Sequence, residues 1–429
     1  MKILRQESSA YQEFRKTLNR RAIPDTSVSE IVTDIINDVK TRGNAALIDL
    51  TAKFDKAELS TETLFVSEEE VAEATALVSQ ATKDAIETTR ENIHLFTAKS
   101  KRQDWSYVNK EGATVGERFT PFQRVGIYVP GGKAPLVSTA LMTGAFAQAI
   151  GCPEIVAATP CGPDGKVNPE LLYALIQSGA TEILKVGGAQ GIAALSLGTE
   201  TVSPVEKVFG PGNSFVVEAK RQLVGAVSID LLPGPSEILI ISDDTGNPAF
   251  LAADLLGQAE HGPDSEIGFI TTSACLLGYV EEEIEKQLPT LSRGDYLKEV
   301  LANKCFALKV DSIDEAVAIC NDYAPEHLTL VVKEEDTVLP QIQNAGAIYV
   351  GNYSAVAVGD FLAGPSHTLP TGGAGKSFSG LRADQFQRRQ SIVKMNQDAV
   401  ENSLATVQEF SRIEGLDAHG ASVQIRCSK

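Results

Sequence analysis

Between residues 124 and 350 the chain repeats one rhythm: a short apolar run, then an Ala- and Leu-rich segment of helical length. Runs at 125–129, 154–158, 182–186, 207–209 and 227–230 form one series. Runs at 237–242, 267–272, 305–310, 328–332 and 347–350 form a second. Strands that alternate with helices pair in parallel, so each series predicts an α/β unit, with a joint near Ser236. Upstream the period is helical. Ile31, Ile35, Ile36 and Val39 predict a helix within 27–55 interrupted at Gly43, and 68–101 holds one or two more. Residues 105–122 alternate around Lys110-Glu111-Gly112 and predict a β-hairpin.

The two ends break the rhythm. Residues 1–22, helical from about 8 to 18 and broken before Pro24, are too short to bury much alone and are expected to lie on another part of the assembly. From Gly380 the pattern is helical and charged, with no strand to complete a sheet. Leu404, Val407, Phe410 and Ile413 keep an apolar stripe there, and such a stripe needs a partner surface. Both ends read as arms.

Composition narrows the function. A chain of 429 residues exceeds one ordinary core, and 43% hydrophobic content is ample for two. A net charge of −18 argues against nucleic acid or an anionic membrane as partner. Any anionic cofactor must then be held by local amides and helix N-termini. No apolar stretch reaches about 18 residues, and the N-terminus lacks a signal-peptide core. Six cysteines without a C-x-x-C pair suit reduced thiols in a cytoplasm and disfavour thiolate zinc.

Gly257-Gln258-Ala259-Glu260-His261-Gly262-Pro263 ends an amphipathic segment. Gln258 and His261, three apart, share its last turn, where they supply either half a metal site or a capped polar helix end. Only five histidines occur: His94, His261, His327, His367 and His419. His94 has an ordinary helical context. His327 follows Glu326 at the start of an apolar run, and Asp360 and His367 bracket a Gly- and Pro-broken loop. If 326–327 is extended, the two adjacent side chains point in opposite directions. A polar strand entry would also explain them. Gly187-Gly188-Ala189-Gln190-Gly191 sits between a strand and a helix but is not a G-x-G-x-x-G fingerprint, and no acidic residue follows 154–158 to bind a ribose. Gly210-Pro211-Gly212-Asn213 would let backbone amides approach a pyrophosphate, or simply makes a tight turn. Gly372-Gly373-Ala374-Gly375-Lys376-Ser377 resembles a phosphate loop, but Pro370 stands where that pattern needs glycine and no strand precedes it.

Seven motifs taken together resemble the histidinol dehydrogenase family. They are Tyr128-Val129-Pro130-Gly131-Gly132, Gly210-Pro211-Gly212-Asn213, Gly234-Pro235-Ser236-Glu237, Gly257 through Asp264, Tyr323-Ala324-Pro325-Glu326-His327-Leu328, Gly359-Asp360 through His367-Thr368-Leu369-Pro370, and Gly415-Leu416-Asp417-Ala418-His419. They stand in the family's order from about residue 20 to the end. The resemblance implies two Rossmann-like, incomplete parallel-sheet α/β domains with small helical N- and C-terminal arms. The arms are 1–22 and 380–429; a discontinuous first domain, 23–127 with 237–379, carries most of the metal and catalytic site; 128–236 forms the second, NAD-binding domain.

It further implies oxidation of L-histidinol to L-histidine through L-histidinal with two NAD, the last steps of histidine biosynthesis. One Zn2+ per site would be held by Gln258, His261, Asp360 and His419, an open oxygen–nitrogen set that positions the substrate. NAD would be bound at Tyr128, Gln190 and Asn213. His327 would be the base for alcohol oxidation and Glu326 the activator of water for aldehyde oxidation. Ser236 and Glu414 would contact substrate, together with the metal ligands and His327; His367 is expected beside the site, not on the metal. The family also implies a cytoplasmic homodimer with intertwined arms that carry Glu414 and His419 into the partner's site. Two departures from the commoner family form, Pro233 one residue late and Ser354-Ala355-Val356 without Pro-Glu, touch loop shape near the site. The competing readings are a nucleotide triphosphatase, whose phosphate-cradling loop geometry fails, and a two-lobed binding protein, which leaves Glu326-His327 and the dispersed histidines unexplained.

Overall fold

The structure is a computed structural model that describes residues 2–5, 9–20, 27–131 and 135–427. It contains three sheets. The first carries β1 (Lys2–Arg5), β9 (Glu237–Ser242), β10 (Glu266–Thr271), β11 (Cys305–Lys309), β12 (His327–Val331) and β13 (Ala347–Val350), all parallel, in the order β1-β11-β10-β9-β12-β13. The second carries β4 (Arg124–Tyr128), β5 (Glu154–Ala158), β6 (Glu182–Leu184), β7 (Lys207–Phe209) and β8 (Ser228–Ile229), also parallel, in the order β6-β5-β4-β7-β8. β2 (Trp105–Val108), β3 (Thr114–Pro121) and β14 (Gln387–Lys394) form a small antiparallel sheet. The ten runs of the repeated rhythm are the ten strands β4 to β13. They were readable because a parallel strand buried on both faces is apolar throughout.

Alternate residues of each strand enter opposite cores. In β12, Leu328 and Leu330 face Leu239, Ile319 and Cys320, while Val331 packs with Ile238, Leu251 and Phe269. In β4 and β5, Tyr128 and Val156 face one layer and Ile127 and Ile155 the other. Gly43, at φ +54, separates the helices Ser29–Arg42 and Asn44–Phe54 as expected.

Three expectations need correction. The N-terminal segment is helical over Ser9–Thr17, but β1 precedes it and pairs with β11 of the same chain. Leu4, Tyr11 and Leu18 are buried with Leu308 and Ile319, so this is the edge of the first sheet rather than an arm laid elsewhere. Pro24 lies outside the described residues. The C-terminal region does hold a strand: β14 pairs with β3 over eight residues. Its sequence, Gln-Arg-Arg-Gln-Ser-Ile-Val-Lys, is mostly exposed on the surface of a thin sheet, so no apolar alternation marks it. Finally, residues 27–127 do not share a core with 237–379, although Thr89 and Asn92 bond the loop at 361–362. Val32, Ile35 and Leu47 share a core with Val156 and Ile192, and Ile86 and Ile93 share one with Ile127 and Phe146. β4 itself begins at Arg124. The helices before residue 101 therefore clothe the second sheet.

Candidate active site

The short link from Ile229 to Glu237 sets the geometry. It leaves the carboxyl end of β8 and enters the amino end of β9, so those two sheet ends must face one another. In the second sheet the strand order reverses between β4 and β7, which opens a crevice at their carboxyl ends. Tyr128 ends β4 and Gly210 follows β7, in contact: a Cβ on residue 210 would lie 2.1 Å from the Tyr128 carbonyl oxygen, and Gly210 has φ +115. Only glycine fits there. A fully buried pair, Lys220 and Asp230, holds that turn; Lys220 Nζ donates to the Gly210 carbonyl and Asp230 Oδ2 accepts from its N–H.

Tyr128 is buried, and its hydroxyl accepts from the N–H of Gly188 at 2.9 Å. Burial first of all pushes its pKa up to about 12. Gln190 is buried in the first turn of the helix Gly188–Leu197, whose N-cap, Gly187, offers no side-chain acceptor. Asn213 caps the helix Ser214–Leu223 through bonds from Phe215 and Val216. Gly131, Phe54 and Pro160 line a cleft of about 770 Å³ nearby. Amide-rich helix starts beside a switch-point crevice suit a phosphate-bearing cofactor.

The opposing wall is the amino end of the first sheet, whose strand order reverses between β9 and β12. Glu326 and His327 meet there on the backbone of Glu237. Glu326 Oε2 accepts from the Glu237 N–H at 2.8 Å, and His327 Nδ1 donates to the Glu237 carbonyl at 2.9 Å. The two side chains converge, with Nδ1 to Oε2 at 3.5 Å, contrary to the opposed directions expected of an extended pair. Glu326 precedes the first laddered residue, and Ala324 just before it is left-handed at φ 52, so strand alternation does not govern it. Because a carbonyl only accepts, Nδ1 carries the proton and Nε2 is left facing Asp360 Oδ1 at 3.4 Å. Burial works against a charged His327, but Glu326 and Asp360 outweigh it and raise its pKa to about 10. A dication held by Asp360 would reverse part of that balance.

Asp360 lies in the last turn of a short helix, Val356–Phe361. Residue 359 must be glycine because a Cβ would lie 2.2 Å from the Tyr349 hydroxyl. The following loop is pinned to the helix Gln80–Ser100: Thr89 bonds the Phe361 carbonyl and Asn92 that of Leu362. His367 Nδ1 donates to the Asp360 carbonyl at 3.0 Å, bracing the segment. Burial raises the Asp360 pKa, but His327, His367 and His261 bring it below the ordinary value.

Gln258 is buried in the last turn of the helix Pro248–Ala259; His261 just beyond is exposed, with Nδ1 at 3.3 Å from Ser236 Oγ. Among the buried polar atoms without a partner are Gln258 Nε2, His327 Nε2 and Asp360 Oδ1. Orphaned buried polar atoms are costly, and amide oxygen and nitrogen exchange by a flip, so Gln258 and Asp360 each have an oxygen free for a cation. Among the described residues of one chain, however, no three His, Cys, Asp or Glu groups cluster closely enough to hold a metal. Glu414 and His419 are exposed on the hairpin of helices Gln397–Glu414 and Asp417–Cys427, and the structure brings neither to Gln258 or Asp360. His94 lies beside Gln148 in a different core layer.

The phosphate-loop look-alike is accounted for. Its Gly372 N–H donates to Glu237 Oε1, and Lys376 Nζ donates to Asn19 Oδ1, so its amide and cation serve protein groups. Sequence reasoning passed over Glu237, Arg20, Lys220 and Asp230, which hold the site from behind. Glu237 stood inside a quoted motif; the others carry no local signal.

Two parallel-sheet units that oppose a nucleotide-type crevice to an imidazole–carboxylate pair have the build of an α/β oxidoreductase. Comparison with known proteins gives the family. The histidinol dehydrogenase profile matches residues 18–427. The chain is 42% identical over 415 residues to histidinol dehydrogenase of Geobacter metallireducens, covering 96% of this chain and 95% of that one. It is 40% identical over 412 residues to that of Desulfotalea psychrophila, covering 95% of each. The crystal structure of histidinol dehydrogenase from Elizabethkingia anophelis superposes with a TM-score of 0.94 at 36% identity, covering 99% of this chain and 98% of the other. The chain belongs to the histidinol dehydrogenase family.

Proposed function

We propose that the protein oxidises L-histidinol to L-histidine through L-histidinal, with two NAD and one zinc per site. The observation that carries this reading is the convergence of Glu326 and His327 on the Glu237 backbone, opposite the orphaned oxygen of Asp360. His327, with Nδ1–H fixed, offers Nε2 to take the hydroxyl proton as the alcohol loses hydride. Glu326 takes a proton from water as that water adds to the aldehyde, and loss of a second hydride leaves the carboxylate. Ser236 and Glu414 contact the substrate. Bound at Tyr128, Gln190 and Asn213, NAD supplies the hydride acceptor. Held by Gln258, His261, Asp360 and His419, zinc supplies a fixed positive anchor for the substrate's nitrogen atoms.

His419 and Glu414 come from the partner in a cytoplasmic homodimer. In support, no three His, Cys, Asp or Glu groups cluster as a metal site among the described residues of one chain, and the C-terminal hairpin leaves Phe410, Ile413 and Ile425 exposed at 59%, 63% and 71%. No helix among the described residues is long and apolar enough to cross a membrane. The test is NADH formation, followed by absorbance, when histidinol is added to zinc-loaded protein. Two NADH per histidine formed is the expected result. No NADH from zinc-loaded, dimeric protein would overturn the reading.

A further inference from the structure

The residue that gathers the catalytic pair is itself held from behind. Glu237 places Glu326 with its N–H and His327 with its carbonyl, so any tilt of that peptide moves both groups together. Its carboxylate is buried, and Gly372 N–H donates to Oε1 at 2.9 Å while Arg20 Nη2 donates to Oε2 at 2.8 Å. Arg20 belongs to the segment that follows the helix Ser9–Thr17. Its Nη1 donates to Glu266 Oε2 at 2.6 Å, and Glu266 lies beside Glu237 in the β9–β10 register. The guanidinium also stacks on the Tyr323 ring, 3.6 Å from its centroid, and Nε donates to the Tyr323 carbonyl at 3.3 Å. Tyr323 closes the loop by donating from its hydroxyl to Glu266 at 2.8 Å. One planar fork thus ties the amino ends of β9 and β10 to the turn that leads into Glu326. A lysine has one point charge and cannot hold these partners at once.

We propose that Arg20 and Glu237 are positioning residues for both oxidations: they fix the Glu237 peptide, and through it the mutual placement of Glu326 and His327. Neither is among the residues proposed above to contact substrate or metal, so their loss should lower turnover while leaving substrate binding and metal loading alone. The inference rests on the reading of Glu326 and His327 as the acid–base pair.

The experiment compares Arg20→Ala, Arg20→Lys and Glu237→Gln in the zinc-loaded, full-length enzyme. Glu326→Gln and His327→Asn serve as reference variants. Turnover is measured separately with histidinol and with histidinal, per folded and zinc-loaded site. Glu237→Gln keeps an acceptor for Gly372 but meets Arg20 with an amide. It and Arg20→Ala should each lose kcat for both substrates by on the order of 10- to 100-fold, the scale of small misplacements of reacting groups. KM for histidinol and zinc content should stay within about twofold of wild type, since those contacts are untouched. Arg20→Lys should recover part of the loss. A merely structural role would instead lower the melting temperature and leave kcat of the folded fraction unchanged; that outcome, or a loss confined to KM, overturns the proposal. If Arg20→Ala does not fold, Arg20→Lys and Glu237→Gln decide by the same criteria. Full activity of the two reference variants would sink the catalytic reading itself, whereas dead reference variants beside normal Arg20 and Glu237 variants sink only this inference.

Discussion

His327 Nε2 lies 3.4 Å from Asp360 Oδ1, and both atoms are buried without a hydrogen-bond partner. In the neutral imidazole, with its proton on Nδ1, the two atoms are both acceptors, and facing each other they are expensive unless something else joins them. A cation on Asp360 and a substrate hydroxyl on His327 would satisfy both at once. The chelation behaviour follows. A strong chelator should abolish turnover while the melting temperature falls by only a few degrees, because the first sheet is held by extensive apolar cores on both faces. Manganese or cobalt should restore activity, since an oxygen–nitrogen set discriminates poorly among such ions. Global unfolding on chelation, seen by circular dichroism, would mean a structural metal instead.

Glu326 and His327 share one anchor, and if they have the separate tasks proposed above their variants should separate the half-reactions. Glu326→Gln should slow histidinal oxidation by on the order of 10²-fold or more and histidinol oxidation far less. His327→Asn should impair the first hydride step. Both should keep zinc by elemental analysis. Wild-type rates of histidinal oxidation in Glu326→Gln would remove the water-activating role.

How far the sequence carried these conclusions can be judged from particular residues. β9 and β12 were legible because Ile238, Leu239, Ile240, Ile241, Leu328 and Leu330 are buried on both faces of one sheet. The surface strand β14 and the edge strand β1 were not, since neither shows an unbroken apolar run. The individual candidate positions for metal and catalysis rest only on their motifs, each weak alone. Their convergence was not legible, because it depends on the left-handed Ala324 and on which peptide the pair bonds. The Arg20 clamp spans more than 200 residues to Glu237, and nothing local in a sequence reports such a distance.

Acid sensitivity should have an identifiable contributor away from the site. Arg221, against the cost of burial and helped by Gln222 and Ser29, holds the Glu218 carboxylate at about 2. Its folded pKa lies below the ordinary value of 4.5, so the unfolded chain binds the proton more readily. The stabilisation is therefore complete above about pH 4.5 and is lost as pH falls towards about 2. Glu218→Gln should be less stable than wild type by on the order of 1–2 kcal/mol near neutrality, allowing for solvent screening at the partly exposed Arg221. Denaturant unfolding at stepped pH should show that gap closing between about pH 4.5 and about pH 2. A gap independent of pH would mean that packing, not charge, ties the helices Ser29–Arg42 and Ser214–Leu223 together.

The remaining question is who supplies His419. In one chain it is exposed on the C-terminal hairpin, and among the described residues no three His, Cys, Asp or Glu groups gather as a metal site. The hairpin's apolar residues Phe410, Ile413, Leu416 and Ile425 are exposed together, with Ile392 and Val393 of β14 on the strand that leads into it. A surface of that kind is stable when another chain covers it. Exchange of this region between two subunits would bury it and bring the partner's imidazole to each site. Two inactive variants, His261→Ala and His419→Ala, test the arrangement when refolded together. In a mixed dimer with shared sites, one site collects both lesions and the other collects none. Half of the dimers are mixed and each has one intact site of two, so activity should recover to about a quarter of wild type. If mixed dimers form, as native mass spectrometry would show, and the mixture stays inactive, each chain builds its own site and His419 must reach the metal within its own subunit.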